Sequence, residues 1–210
     1  MITSTSNAKV KYLVNLKKKR KERDREKVFL VEGIRMFREV PADKLKEVYV
    51  SESFYKKERG LVDEIASKSR VRVEILSDNV FAHVSDTMTP QGVLCVVEQM
   101  NYSLEAVLSN GVVPHLMVLD NLQDPGNLGT IVRTAEGAGV TGIVMSKETV
   151  DIYNPKVIRS TMGSIYRMPF YYAEDLLSAI EEMKKRNIST YAAHLDGKNS
   201  YDEEDYKKPC

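Results

Sequence analysis

The 210-residue chain has few cysteines and histidines and no long apolar run. Its two cysteines, Cys95 and Cys210, stand far apart, which argues against a disulfide framework and against a structural zinc site. The three histidines are not at metal-ligand spacing, so we expect no bound metal. No stretch of about 18 apolar residues is present to span a membrane, and the first residues lack the apolar segment of a signal peptide. These absences favour a cytoplasmic, reducing location.

Charge is nearly balanced overall but uneven along the chain. Residues 1–27 contain ten Lys or Arg and three Asp or Glu, a local charge of +7, so a total of +1 leaves −6 for the remainder. A basic arm on a mildly acidic body predicts a polyanionic partner, most simply nucleic acid. A solvated helix face with ordinary lysines is the alternative. The cations that we expect to contact nucleic acid in the arm are Lys17, Lys18, Lys19 and Arg20.

Short strands and helices alternate through the first half of the chain. The predicted strands are FLVEG, LKEVYVS, VRVEILS and VLCVVEQ, and the predicted helices between them are IRMFREV, FYKKERGLVDEIASKS and NVFAHVSD. An earlier helix is expected to be capped by Ser4, Ser6 or Asn7. Together these patterns predict a compact α/β unit that ends near Gln99.

A second α/β unit begins at Pro114. Its predicted strands are HLMVLD, GIVMS, the region around Ile165 to Phe170, and STYAA; its helices follow Pro125, span Pro155 to Thr161, and cover AEDLLSAIEEMKKRN. This alternation favours a largely parallel sheet. We therefore predict four segments: a basic helical arm (1–27), an α/β domain (28–100), a linker with a short helix (101–113) and a second α/β domain (114–210).

The stretch VLDNLQDPGNLGTIVRTAEGAGVTGIVMS, residues 118–146, predicts a strand, a loop, a helix and a second strand. It has neither the G-x-G-x-x-G of dinucleotide sites nor the Gly-Lys-Ser/Thr of a P-loop. The helix N-terminus suits an anion, and Arg133 follows Gly129 by one turn, which predicts a guanidinium above a glycine gap. Asn127, near the cap, is placed to orient a hydroxyl. An ordinary strand–turn–helix with a surface arginine is the alternative, and Glu136 is expected to pair with Arg133 or to face solvent.

The string DNLQDPGNLGTIVRTAEGAGV resembles the first motif of the SpoU (TrmH-type) ribose methyltransferases of the SPOUT class. NPKVIRSTMGSIYRMP and YAAHLDGKNSYDEEDYKKP are similar to later segments of that family, and residues 28–99 are similar to its substrate-binding domain. The resemblance implies a ribosomal-protein-like α/β domain followed by a SPOUT-type parallel α/β domain. It also implies a homodimer that transfers a methyl group from S-adenosylmethionine to a ribose 2′-hydroxyl of RNA, with rRNA favoured over tRNA by the two-domain layout.

The same resemblance assigns roles to individual residues. It makes Arg133 catalytic and places Asn127 in the active site, while Ala193 and Leu195 match a segment that approaches the adenosine of the cofactor. Because an arginine stays protonated, Arg133 is expected to act as an electrostatic activator or phosphate clamp and not as a general base. Lys156 and Arg159, near a helix start, are further candidates to contact RNA phosphate, with capping and solvated charge as the alternative reading.

Two family motifs are absent from the 210 residues: a Gly-Asn-Glu-Gly type loop and a Ser-Leu-Asn-Val type segment. In the family they build the trefoil knot and most of the cofactor pocket. We therefore expect a truncated methyltransferase domain without the knot, which binds the methyl donor poorly and is inactive alone. A non-catalytic RNA-binding module is the alternative function.

Overall fold

A computed structural model describes residues 1–109 and 111–210 of the chain. These residues form a mixed four-stranded sheet followed by a parallel three-stranded sheet, each covered by helices. Asn110, in the predicted linker, lies outside the described residues. The predicted α/β class is confirmed for both halves of the chain.

The arm residues fold into two short helices, α1 (Ala8–Lys18) and α2 (Arg20–Glu26). Of the three predicted caps, Asn7 is the one that caps α1, since its Oδ1 accepts a 2.9 Å hydrogen bond from the Lys9 N–H. The apolar stripe of α1 is fully buried against the first sheet and consists of Val10, Leu13 and Leu16. The basic arm is thus a packed part of the first unit.

The first sheet contains β1 (Val28–Glu32), β2 (Leu45–Ser51), β3 (Val73–Leu76) and β4 (Val93–Glu98) in the order β1-β4-β2-β3. Strand β4 is antiparallel to β1 and β2, whereas β2 and β3 are parallel. The carboxyl ends of β1, β2 and β3 therefore lie at one edge of the sheet. The helices that follow these three strands all begin at that edge, and they are α3 (Ile34–Glu39), α4 (Glu52–Ser69) and α5 (Asp78–Val84).

The second sheet contains β5 (Leu116–Leu119), β6 (Gly142–Ser146) and β7 (Phe170–Ala173), all parallel and in chain order. On one face pack α7 (Pro125–Gly137) and α8 (Pro155–Thr161), whose apolar residues belong to the core shared with the first sheet. On the other face pack α6 (Leu104–Leu108) and α9 (Leu176–Lys185). The parallel sheet is therefore buried on both faces, as α/β proteins require.

One continuous core joins the two units. The rings of Phe29 on β1 and Tyr153 before α8 lie 4.8 Å apart, and the Tyr153 hydroxyl donates a 2.6 Å hydrogen bond to the Met100 carbonyl. At the periphery, Arg167 Nη1 donates to Glu39 Oε2 on α3 at 2.8 Å. The first and second units are fixed to each other by both apolar and ionic contacts.

Two predicted strands are wrong. The region around Ile165 to Phe170 is mostly a 3₁₀ turn at Ser164–Tyr166, and the strand begins only at Phe170. STYAA forms no strand in the described part of the chain, and its side chains are exposed. Instead, the chain end lies beside β5, because Cys210 N–H donates to Pro114 O at 3.0 Å and Cys210 O accepts from Leu116 N–H at 2.7 Å.

Candidate functional site

Loops at the carboxyl ends of β5 and β6 are joined to each other by hydrogen bonds. Asn121, in a left-handed conformation with φ of 49°, donates its N–H to Ser146 Oγ at 2.8 Å. Gln123 Nε2 donates to the Glu148 carbonyl at 2.7 Å. This edge is where open parallel sheets bind ligands, and the bonds between the loops hold the start of α7 in one position.

The first turn of α7 is capped by Asp124. Its Oδ1 accepts a 2.7 Å hydrogen bond from the Asn127 N–H, and Pro125 takes the first helical position, where its missing N–H costs nothing. This carboxylate occupies the helix N-terminus, so the predicted preference of that end for an anion is weakened. The exposed Asn127 side chain makes no hydrogen bond within residues 1–109 and 111–210, which leaves its amide available to a ligand.

Arg133 lies six residues after Asn127 on α7 and is exposed. On a regular helix this separation is about 9 Å along the axis and about 120° around it, so the two side chains lie on different faces. Among the described residues Arg133 has no hydrogen bond or ion pair. The guanidinium is thus not committed to any internal partner.

Glu136 does not pair with Arg133, so that expectation is wrong. It accepts hydrogen bonds from Arg167 and from Ser164 Oγ, the latter at 2.6 Å. The hydrogen bond from Arg167, with a smaller contribution from Ser164, lowers the pKa of the Glu136 carboxyl. Glu136 therefore ties α7 to the turn after α8 and does not neutralise the candidate catalytic cation.

The predicted glycine gap beside Arg133 is also wrong, because α8 fills it. A Cβ on Gly129 would lie 2.4 Å from Ser160 Cβ and 2.6 Å from the Val157 carbonyl oxygen. Gly129 therefore serves the close approach of α7 and α8. That packing also brings Lys156 over the first turn of α7, since its Cε would lie 3.9 Å from a Cβ on Gly126.

The predicted nucleic-acid contacts of the arm and of α8 come together at one small cleft. Lys17 and Arg159 both line it, although they are far apart in sequence. Lys17 Nζ donates to the Ser85 carbonyl at 2.8 Å, and Arg159 Nη1 pairs with Asp86 at 2.9 Å. These two cations hold the loop after α5 in place, so they are partly committed to internal contacts.

The next cations along the arm are more available. Lys18 and Lys19 are exposed and form no ion pair in the part of the chain that the structure describes. Arg20, also exposed, pairs with Asp24 at 3.3 Å in an i,i+4 ion pair. We use the name basic track for Lys18, Lys19, Arg20, Lys156 and Arg159.

Arg23 has a role that sequence reasoning missed. It is buried, and its Nη2 pairs with Asp151 Oδ2 at 2.6 Å while its Nη1 donates to the Leu16 carbonyl at 2.7 Å. Asp151 also accepts from the Tyr153 N–H at 2.9 Å. The pair links α2 to the loop after β6, and no local sequence signal identifies partners 128 residues apart.

The residues assigned to the methyl donor do not enclose a ligand. Ala193 and Leu195 were expected at the end of a strand, but they lie in an exposed irregular segment, and Leu195 is fully exposed. The described residues also contain no group of His, Cys, Asp and Glu side chains that could hold a metal. None of the helices in residues 1–109 and 111–210 is long and apolar enough to cross a membrane.

Comparison with known proteins gives consistent matches along the chain. Residues 114–210 match the SpoU rRNA Methylase family, and residues 7–95 match the MRM3-like substrate binding domain. The 23S rRNA (guanosine(2553)-2'-O)-methyltransferase RlmP of Bacillus subtilis is 32% identical over 96% of this chain and 76% of its own length. The human mitochondrial rRNA methyltransferase 3 is 34% identical over 68% of this chain and 29% of its own length.

Solved structures agree with the sequence matches. An rRNA methyltransferase from Sinorhizobium meliloti has a TM-score of 0.83 and 29% identity, and the match covers 98% of this chain and 77% of that chain. A structure of an AdoMet-bound rRNA methyltransferase from the same organism has a TM-score of 0.71 at 29% identity, with 86% and 67% covered. The arrangement of both units is therefore shared with these proteins.

Proposed function

The chain belongs to the SpoU rRNA Methylase family, and we propose that the protein transfers a methyl group from S-adenosylmethionine to a ribose 2′-hydroxyl of rRNA. The observation that carries the proposal is the exposed guanidinium of Arg133, which has no partner among the described residues and lies on the helix that also presents Asn127. The Lys156 side chain lies over the first turn of the same helix. The names of the relatives, and the AdoMet-bound form of one similar structure, support the reaction and the methyl donor.

Arg133 and Asn127 act on the ribose side of this reaction. A 2′-hydroxyl is a weak acid, so negative charge develops on its oxygen as the methyl group is transferred. A fixed guanidinium stabilises that charge, and its permanent protonation excludes the role of general base. The Asn127 amide orients the ribose, and the proton leaves to a neighbouring phosphate oxygen or to water. Ala193 and Leu195 are exposed and do not enclose the methyl donor.

RNA capture is assigned to residues 1–100 and the chemistry to residues 114–210. In RNA complexes, phosphate contacts position the chain and supply a salt-dependent share of the affinity. The basic track offers such contacts between the arm and the first turn of α7.

We also propose that the protein acts as a homodimer in the cytoplasm, since Arg133 and Asn127 are open to a second subunit and both cysteines are unpaired. Sedimentation that gives only monomers at micromolar concentration would exclude the dimer.

The direct test is methyl transfer to rRNA. The protein is incubated with rRNA and S-adenosylmethionine, and 2′-O-methylated positions are mapped by resistance to alkaline cleavage and by mass spectrometry. We expect one modified position from a chain that also carries the two family motifs that these 210 residues lack, and no product from the 210 residues alone. A 2′-deoxynucleotide placed at the modified position should abolish the product. RNA binding by both forms without any methyl transfer would instead favour the non-catalytic RNA-binding module.

A double substitution, Lys18→Ala with Lys19→Ala, is expected to weaken RNA binding. The loss of two phosphate contacts should make the slope of log affinity against log salt about 1.4 to 1.8 less steep. Binding isotherms at several salt concentrations measure the slope. Lys184→Ala with Lys185→Ala removes two neighbouring lysines from α9 and serves as the matched control. Equal slopes of log affinity against log salt for the two double variants would show that Lys18 and Lys19 do not contact RNA.

A further inference from the structure

Arg167, in the turn that follows α8, bridges carboxylates on two helices from different halves of the chain. Its Nε donates to Glu136 Oε1 on α7, and its Nη2 donates to Glu136 Oε2 at 3.3 Å. Its Nη1 donates to Glu39 Oε2 on α3 at 2.8 Å. Because an arginine stays protonated, the guanidinium attracts both carboxylates at every pH at which they are ionised.

Both carboxylate oxygens of Glu136 are occupied at this turn. Oε1 accepts from Arg167, and Oε2 also accepts from Ser164 Oγ at 2.6 Å. The turn itself lies directly against α3, since Gly163 has a φ of 102° and a Cβ there would lie 2.5 Å from Glu39 Oε2. Contacts from two helices therefore fix the position of Arg167, and Arg167 fixes the direction of the Glu136 side chain.

The position of Glu136 on α7 makes this direction important. Glu136 follows Arg133 by three residues, and side chains at this separation are neighbours on the helix surface, where opposite charges pair. A carboxylate in the last turn of a helix is also unfavourable, and the last turn of α7 contains no basic residue. Glu136 therefore needs a cation from elsewhere, and without Arg167 the nearest one along its own helix is Arg133.

We propose that Arg167 is a positioning residue for the methyl transfer: by holding Glu136, it keeps the Arg133 guanidinium unpaired and available to the ribose oxygen. The inference rests on the proposed function. Without Arg167, the Glu136 carboxylate turns towards Arg133 and neutralises the cation that has to stabilise the developing negative charge. The turn after α8 thus acts on the chemistry through a residue that does not touch the substrate.

A bridge that only holds the fold makes a different prediction from a bridge that keeps Arg133 unpaired. If the bridge only holds the fold, loss of either partner has the same effect, and loss of both is no better than loss of one. If Arg167 holds an anion away from Arg133, loss of Arg167 is harmful only while Glu136 is charged. Removal of the Glu136 charge should then restore what the loss of Arg167 takes away.

The activity test measures single-turnover methyl transfer by a chain that also carries the two family motifs that these 210 residues lack. Arg167→Ala should lower the rate about tenfold, because an uncompensated carboxylate near Arg133 opposes the developing charge. Arg167→Gln, which also lacks the charge, should behave in the same way. Glu136→Gln alone should keep the wild-type rate, and Arg167→Ala with Glu136→Gln should recover most of it.

Arg186→Ala is the matched control for Arg167→Ala. Arg186 also bridges two carboxylates, since its Nη2 donates to Glu105 Oε2 at 2.6 Å and its Nε donates to Glu182 Oε1 at 3.0 Å. Neither of these glutamates lies on α7, so the control should keep the wild-type rate. Thermal melts of all the variants separate a loss of rate from a loss of folding.

A second readout needs no methyl transfer and uses the 210-residue chain itself. Phenylglyoxal modifies accessible guanidinium groups, and peptide mapping by mass spectrometry gives the rate at Arg133. Pairing with Glu136 should slow this modification about twofold in Arg167→Ala, the occupancy expected of an exposed i,i+3 ion pair. The double variant should return to the wild-type modification rate, and Arg186→Ala should not depart from it.

Every other result contradicts the role of Arg167. Unchanged modification of Arg133 in Arg167→Ala would show that Glu136 does not turn to it. A double variant as slow in methyl transfer as Arg167→Ala would show that the bridge only holds the fold. In both cases a loss of activity in Arg133→Ala leaves the proposed function intact. Absence of methyl transfer by the unsubstituted longer chain would overturn the proposed function, and the modification rates would still decide whether Arg167 keeps Arg133 unpaired.

Discussion

Arg133→Ala, made in a chain that also carries the two family motifs that these 210 residues lack, is expected to reduce methyl transfer by about 10²- to 10³-fold, the usual cost of removing one group that stabilises developing negative charge. RNA affinity should fall by less, because the basic track is untouched. The fold should be unaffected, since Arg133 has no internal partner among the described residues and alanine is at least as good a helix former. Single-turnover methylation, RNA titration and a thermal melt measure the three quantities separately.

Arg133→Lys is the informative companion to this variant. It keeps a positive charge but loses the planar fork of donors, so intermediate activity would indicate that charge alone supplies part of the effect. Thr134→Ala, at the next exposed position of α7, controls for a general change in the helix. Wild-type turnover in Arg133→Ala would exclude the catalytic role and would leave the guanidinium as an ordinary surface charge.

Asp151→Ala is expected to destabilise the protein by about 3 kcal/mol or more, because breaking a buried ion pair leaves the remaining charge without its partner. The side chain of Arg23 is only 4% exposed and that of Asp151 only 11% exposed. The Arg23 guanidinium would retain its hydrogen bond to the Leu16 carbonyl but lose its counter-charge. Urea unfolding measures the change in the free energy of unfolding.

Asp24→Ala provides the matched control for Asp151→Ala. It removes the partner of Arg20 in an exposed i,i+4 pair, whose side chains are 58% and 51% exposed. Exposed pairs of this kind contribute at most about 1 kcal/mol. Equal losses in the two variants would show that the Arg23–Asp151 pair contributes no more than a surface contact, and that α2 is not anchored through it.

Local sequence signals predicted most of the helices and strands. Asn154 followed by Pro155 gives the start of α8, where the Asn154 side chain accepts from the Lys156 N–H, and the predicted bounds match the observed helix. The strand predicted at STYAA does not form, because β-branched and aromatic residues form a strand only if a neighbouring strand pairs with them. The partner of Ser189 is instead the Pro209 carbonyl, and the residues that follow are exposed.

The site was predicted less completely than the fold. The position of Arg133 and Asn127 on a helix after β5 is confirmed, and their chemical roles stay predictions. The predicted gap beside Gly129 is filled by α8, and the sequence alone does not show that α8 packs there. The internal use of Lys17 and Arg23 could not be foreseen, since their partners lie on loops distant in the chain. Local patterns identify elements, whereas long-range contacts decide which charges remain available.

One core joins the two sheets, so the two halves of the protein are held in a fixed arrangement. Opening the molecule between its halves would expose the contact of Phe29 with Tyr153 and break the Arg23–Asp151 and Arg167–Glu39 pairs. The spacing between the basic track and Arg133 is consequently fixed within one subunit. Under the proposed function, we therefore expect the RNA, and not the protein, to bend so that the target ribose reaches Arg133.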